Sequence, residues 1–479
     1  MSGSSKPTDY KKKLYAFRPD AVYVETHRTK LRNRKEPCDP ASLERGVRQL
    51  LANKVSGTMV GIWLLIPEHL RLGTWDLLRA WTHMPGANVH PRLALQLVHE
   101  AALCVTGVRQ GRTLSQKGFE LANGLSFVAS DYAIHELLQS HTVAEAESLQ
   151  VALGRIRRAS GHYSGKLLAI DPHHMRSYTK RQTRRHRHKK DETAIKTAQT
   201  FFCLDAETSQ PFAFTVGSAA RTATQATPPL LKLVQAILQP VKSQTLALAD
   251  TEHCTAELFS QMVQQTPFDL LTPQSMTKLL RQQLRNIPES DFQSPWIGLS
   301  MATRPYHFVH GKTDSPLYQI VQRCGVKCGD YQFKSFLSTR DVNAVQALIE
   351  DYPKRWRVEE FFNANQALGW NRAGTLNLNI RYGQMTMALI AQAAIHQFRQ
   401  RLRSPYIQWD AAHLAKDIFK TLEGDIRISD NTILVTYYNA PHAEQLREHY
   451  EHLPEKLAKE KISPHIPWLY DFKLDFCFK

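Results

Sequence analysis

Cysteine is scarce in this chain: seven residues in 479, odd in number and scattered. That excludes a disulfide scaffold and points to a reducing compartment. Cys324 and Cys328 form the one close pair, and no second pair stands at metal spacing, so two small residues near a strand are expected rather than a zinc site. Long apolar runs are missing too. The longest, residues 59–66, is far too short to span a bilayer, so no transmembrane helix and no membrane partner are expected. The opening MSGSSKPTDYKKK has charge with no apolar stretch behind it, which argues against a signal peptide. Acid is in deficit as well. Asp and Glu number 44 against 61 Lys and Arg, a net +17 that favours a polyanionic partner, most commonly nucleic acid.

What is present reads as a globular chain long enough for two or three domains. Residues 1–38 carry Lys11, Lys12, Lys13, Arg28, Lys30, Arg32, Arg34 and Lys35 with little apolar periodicity, the composition of a basic arm. From 39 to 160 the pattern is helical. Leu43, Val47, Leu50 and Leu51 recur at near-helical spacing, and residues 74–103 predict two helices broken at Pro85-Gly86, the second opening near Pro91. A helix-turn-helix and DNA binding are expected of this domain.

After Gly165 the apolar period shifts from helix to strand. KLLAID predicts a strand, residues 200–219 a hairpin turning at Thr208–Pro211, and residues 226–240 a helix entered through Pro228-Pro229 and stopped by Pro240. QTLALAD and FDLLTP add two more strands. Three antiparallel strands, a helix and two further strands are the core order of the ribonuclease-H-like fold. The fold expected is therefore α+β: such a catalytic domain over 165–402, a β-rich insertion at about 274–340, and a mixed region over 403–479. In that last region Leu446, Tyr450, Leu453 and Leu457 fall at helical spacing, either for a dimer or DNA contact or for packing on the protein's own core.

Two acids, Asp171 and Asp250, end apolar strands of the same sheet. Level strand ends would bring their carboxylates together, and such a pair needs a compensating cation or a proton. A hard divalent ion with oxygen ligands suits it. A third acid is sought in DYPKRWRVEEFFNANQALGW, residues 351–370. At roughly 100° per residue Tyr352, Arg355, Glu359 and Gln366 lie within about 60° of arc on a helix, whereas Glu360 points about 100° away from Glu359. Glu359 is the better ligand.

Here the chain resembles a known family. Tyr352, Arg355 and Glu359 match the Tyr-x2-Arg-x3-Glu-x6-Lys signature of bacterial insertion-sequence transposases of the transposon-five group, with Gln366 standing where the pattern has lysine. The resemblance implies an Asp-Asp-Glu site at Asp171, Asp250 and Glu359. These would hold two Mg²⁺ ions about 4 Å apart, Asp171 bridging them, with Mn²⁺ able to substitute. It further implies cut-and-paste transposition by end cleavage and strand transfer into target DNA. Tyr352, Arg355 and Gln366 would contact DNA, and a homodimer would form on the inverted-repeat ends. A prokaryotic, cytoplasmic, nucleoid-associated protein is implied as well. Trp296 is a candidate shelf for a flipped base, against the plainer reading of a core tryptophan.

The basic run Arg176–Lys190 follows the first acid directly and suits incoming phosphate. Its histidines, His173, His174, His186 and His188, read less well as a metal tract because fixed positive charges surround them. Two alternatives stand beside transposition: a domesticated or inactive protein that holds DNA ends, and a ribonuclease-H-like nuclease that never joins strands.

Overall fold

The computed structural model describes residues 38–82, 89–105, 114, 116–177, 185–186, 193–218, 221–308, 316–326, 330–370 and 377–479. Residues 1–37 of the basic arm, the break at Pro85-Gly86, Cys328 and most of the Arg176–Lys190 run lie outside them. Two compact units make up the chain. Among the described residues, one is Gly154–Phe362; the other joins those from 38 to 153 with Asn363–Lys479.

The first unit is built on a mixed sheet. Its core elements are β1 (Leu167–Arg176), β2 (Ile195–Asp205), β3 (Gln210–Ser218), α1 (Ala223–Leu238), β4 (Leu246–Leu248), α2 (Ala256–Gln265) and β5 (Asp269–Pro273). β1 and β3 each pair antiparallel with β2, while β1, β4 and β5 run parallel. The order 3-2-1-4-5 with β2 reversed is the ribonuclease-H-like core. Leu167–Ile170 and Phe201–Leu204 are buried residue after residue, with no polar alternation. Strands in the middle of a sheet covered on both faces have this pattern.

Two local expectations are corrected here. β1 does not stop at Asp171 but runs on to Arg176, paired with β2 throughout. Pro172 is accommodated because β4 has already ended on the other side, where its missing N–H would have been needed. The helix α1 begins at Ala223, well before Pro228-Pro229. Its start is set by a reciprocal cap: the Gln225 N–H donates to the Thr222 hydroxyl, and the Thr222 N–H donates to the Gln225 side chain. Both prolines therefore sit inside the helix.

The insertion comprises α3 (Lys278–Arg285), β6 (Gln293–Trp296), β7 (Leu299–Tyr306), β8 (Leu317–Cys324) and β9 (Gln332–Ser338). These strands form an antiparallel meander, and β9 pairs with β5, so the insertion lengthens the core sheet. It buries a small cluster of its own around Leu284, Ile287, Ala302 and Val321. Trp296 is 49% exposed and is not a core residue.

One regular helix was expected to carry Tyr352, Arg355, Glu359 and Gln366. The structure instead has a wide π turn over Gln346–Asp351, a tight 3-10 segment over Tyr352–Trp356, α4 (Arg357–Asn365) and a second 3-10 turn over Gln366–Leu368. The uniform 100° step does not hold along this stretch. In the 3-10 segment residues three apart eclipse, which stacks Tyr352 and Arg355 on one side. Gln366 falls in the second unit.

In the second unit Val89–Ala102 is buried at every position except Glu100, and Leu378–Leu402 is buried over most of its length. A recognition helix needs an open face, and Val89–Ala102 has none. The C-terminal stripe is also internal: Leu446, Tyr450, Leu453 and Leu457 are fully buried, Tyr450 packing on Phe398 and Phe476. They lie on two helices, Ala443–Tyr450 and Leu453–Lys459, and the aromatic tail is a strand, Phe472–Phe478, parallel to Thr432–Tyr437. No helix among the described residues is long and apolar enough to cross a membrane.

Candidate active site

Sheet register sets the first two acids level. Ala169 of β1 pairs with Leu248 of β4, so Asp171 and Asp250 each stand two residues past a matched pair on neighbouring parallel strands. Asp250 then caps the 3-10 turn Thr251–His253, its carboxylate accepting the Thr251 N–H at 2.6 Å. That bond fixes the side chain at the strand end.

Glu359 is delivered by aromatic packing. Phe202, the cross-strand neighbour of Asp171 on β2, meets Phe361 and Phe362 of α4 at centroid distances of 5.9 and 5.2 Å. His173 stacks on Phe362 at 4.3 Å, two residues beyond Asp171 on the same strand. The Arg357 guanidinium adds a polar anchor, donating to the Ala206 carbonyl at 2.9 Å. α4 is thereby seated over β1 and β2 with Glu359 on the near side, while Glu360 is exposed.

Arg355 ties these groups together. Its Nη1 is 3.6 Å from Asp171 Oδ1, and its Nη2 is 3.2 Å from Glu359 Oε1. Burial pulls its pKa down, but Asp171, Tyr352, Asp250 and Glu359 outweigh that and hold it above the usual arginine value. Tyr352 is fixed at two points: its hydroxyl donates to the Ala249 carbonyl at 3.3 Å, and its ring meets Phe336 of β9 edge-on at 4.9 Å. Burial pushes the phenol up to about 12, so it remains a hydrogen-bond donor at neutral pH.

Asp171 carries the strain of the cluster. Burial raises its pKa, Arg355 lowers it, and the charges of Asp250, Glu359 and Glu252 raise it again, leaving it at about 7. Glu252 was not foreseen from sequence. It is two residues past Asp250 on the 3-10 turn, raised by its own burial and by Asp250. The Asp-x-Glu-His order at 250–253 was the available signal. His253 is fully buried, and burial keeps its ring neutral with a pKa of about 4.

The candidate ligands Asp171, Asp250 and Glu359 offer only hard oxygen donors, a chemistry that fits a divalent cation of the Mg²⁺ type. As placed, no three His, Cys, Asp or Glu side chains among the described residues meet closely enough to hold one ion. Arg355 stands between the carboxylates instead. Of the histidines weighed as a metal tract, His173 is taken up by Phe362 and His174 lies 3.5 Å from the Gln199 amide.

Residues 162–394, which contain Asp171, Asp250, Tyr352, Arg355 and Glu359, match the family described as Transposase DDE domain. No curated protein matches the chain. A solved structure, the cryo-EM piggyBac transposase synaptic complex with hairpin DNA, is similar at 12% identity and a TM-score of 0.40, over 77% of this chain and 82% of that one. Residues 162–394 thus carry both the core topology and the acids within the stretch that matches the transposase DDE domain, and together these support an enzyme acting on DNA.

Proposed function

We propose that the protein cuts and joins DNA at transposon ends, with Asp171, Asp250 and Glu359 as the acids of the reaction. The observation that carries this reading is the register of β1 and β4, which levels Asp171 with Asp250 beneath α4 and its Glu359. DDE transposases work with divalent metal ions. In this chain the three acids would hold them, as two Mg²⁺ ions that Mn²⁺ can replace. Bound metal supplies an activated oxygen nucleophile and stabilises the departing 3′ oxygen.

The chemistry balances without an added energy source. Water attacks phosphorus, one P–O bond forms, the strand's P–O bond breaks and a 3′-hydroxyl is freed. That hydroxyl then attacks a target phosphodiester, again forming one P–O bond and breaking one, which gives cut-and-paste transfer. Arg355 offers a bidentate fork to phosphate, and Tyr352 donates one hydrogen bond. Both fit end binding of the transposon-five kind. Gln366 would give a neutral contact where that group has lysine. A Gln366→Lys variant should bind end DNA several-fold more tightly at low salt; unchanged affinity in a filter-binding titration would remove Gln366 from the interface. Trp296, exposed on the insertion, is available to stack on an unpaired base. A homodimer holding two ends fits the reaction, since two ends must be cut and joined together.

Incubation with Mg²⁺, labelled end DNA and a target plasmid tests the reading. Both cleaved ends and joined product are expected. Cleavage without joining would favour a nuclease, and binding with neither product would favour an inactive end-holding protein.

A further inference from the structure

A single guanidinium group spans two of the three acids, Arg355 reaching Asp171 at 3.6 Å and Glu359 at 3.2 Å. Its side chain is 13% exposed, so water and salt screen these pairs weakly. The oxygens it faces are the ones a divalent ion would use. At such range two cations drawn to the same carboxylates repel each other strongly, and the more highly charged one prevails where both have access.

Resting on the metal-dependent reading of the site, we propose that Arg355 is an exchangeable internal counter-ion. It neutralises Asp171 and Glu359 before metal arrives. Metal binding then expels its guanidinium and frees it for a DNA phosphate. The backbone around it supports a swing of the side chain alone. Tyr352, three residues earlier, is pinned to Ala249 and Phe336, and Arg357, two residues later, is bonded to the Ala206 carbonyl. Between these fixed points the long Arg355 side chain can trade one anion for another without moving the helix. Counter-ion and phosphate ligand are then two positions of one residue. Metal and DNA bind with positive coupling, because each favours the swung-out position.

The test is Mn²⁺ binding to the full chain without DNA, followed by electron paramagnetic resonance of the free ion. Wild type, Arg355→Gln, Arg355→Lys and Asp171→Asn are compared. The exchange predicts about tenfold tighter binding for Arg355→Gln, a value between that and wild type for Arg355→Lys, and loss of the site in Asp171→Asn. Unchanged or weaker binding in Arg355→Gln, with Asp171→Asn still abolishing it, overturns the exchange and leaves Arg355 a fixed brace. Should Arg355→Gln fail to fold, Arg355→Lys decides: its compact ammonium cannot span both acids, so affinity above wild type supports exchange and equal or lower affinity refutes it. Wild-type affinity in Asp171→Asn would instead sink the metal-site reading itself, a separate result.

Discussion

Asp171 is buried among other carboxylates, an unfavourable setting for an ionised acid. Burial and three neighbouring carboxylates hold its folded-state pKa near 7, against 3.8 as the ordinary value. The folded metal-free protein therefore binds a proton that the unfolded chain has released. Stability from this group is complete below pH 3.8 and is lost as pH rises to about 7. Thermal melts in chelator should fall across that window in wild type, and Asp171→Asn should flatten the fall; parallel curves for the two proteins would contradict the assignment. Divalent metal should reverse the trend, since it favours the ionised carboxylate and releases the proton. The need of such an acid pair for a cation or a proton was legible in the sequence; which acid takes it up was not. The chain order shows three acids and an arginine, but not that one guanidinium stands between two of them.

At the scale of elements, apolar packing decides whether Glu359 reaches the site. Phe362 is 7% exposed, stacks on His173 and meets Phe202 edge-on, two residues that flank Asp171 on β1 and β2. Phe362→Ala should cost about 3 kcal/mol or more of stability, measured by denaturant unfolding. Cleavage should fall further than the folded fraction does, because α4 loses its seat. A variant that loses stability yet keeps full specific activity would show that α4 is placed by other means. Several elements were readable for a stated reason. The run Leu167–Ile170 is apolar on both faces because the strand is covered on both, and the hairpin expected over residues 200–219 is the antiparallel pair β2 and β3. The misreadings also have reasons. Pro228-Pro229 looked like an entrance because proline favours the first turn, yet the Thr222–Gln225 cap fixes an earlier start. Asp171 looked like the end of a strand, yet β1 runs on through Pro172, which lies where the neighbouring strand has already stopped.

For the whole molecule, the division into units was the least visible feature. The chain leaves the second unit at Leu153, builds the first, and returns at Asn363, near the C-terminal end of α4. No change in composition marks that return, because a helix can cross from one unit to the other without a linker. The net charge of +17 is a property of the whole chain, and it predicts DNA binding that weakens steeply with salt. Replacing Lys11, Lys12 and Lys13 with alanine should lower the slope of log affinity against log salt by about 1 to 3, at roughly 0.9 for each phosphate no longer neutralised. An unchanged slope would remove the basic arm from the DNA interface.

The central claim is that Asp171, Asp250 and Glu359 together cut a DNA backbone. Its most direct test is a Mg²⁺-dependent nicking assay on end-containing DNA, run on wild type and on the three single alanine variants after each is shown to be folded and to bind the DNA. Cleavage by wild type and loss of at least a thousandfold in every variant is the result expected. Full-rate nicking by any one of the folded variants would contradict the account.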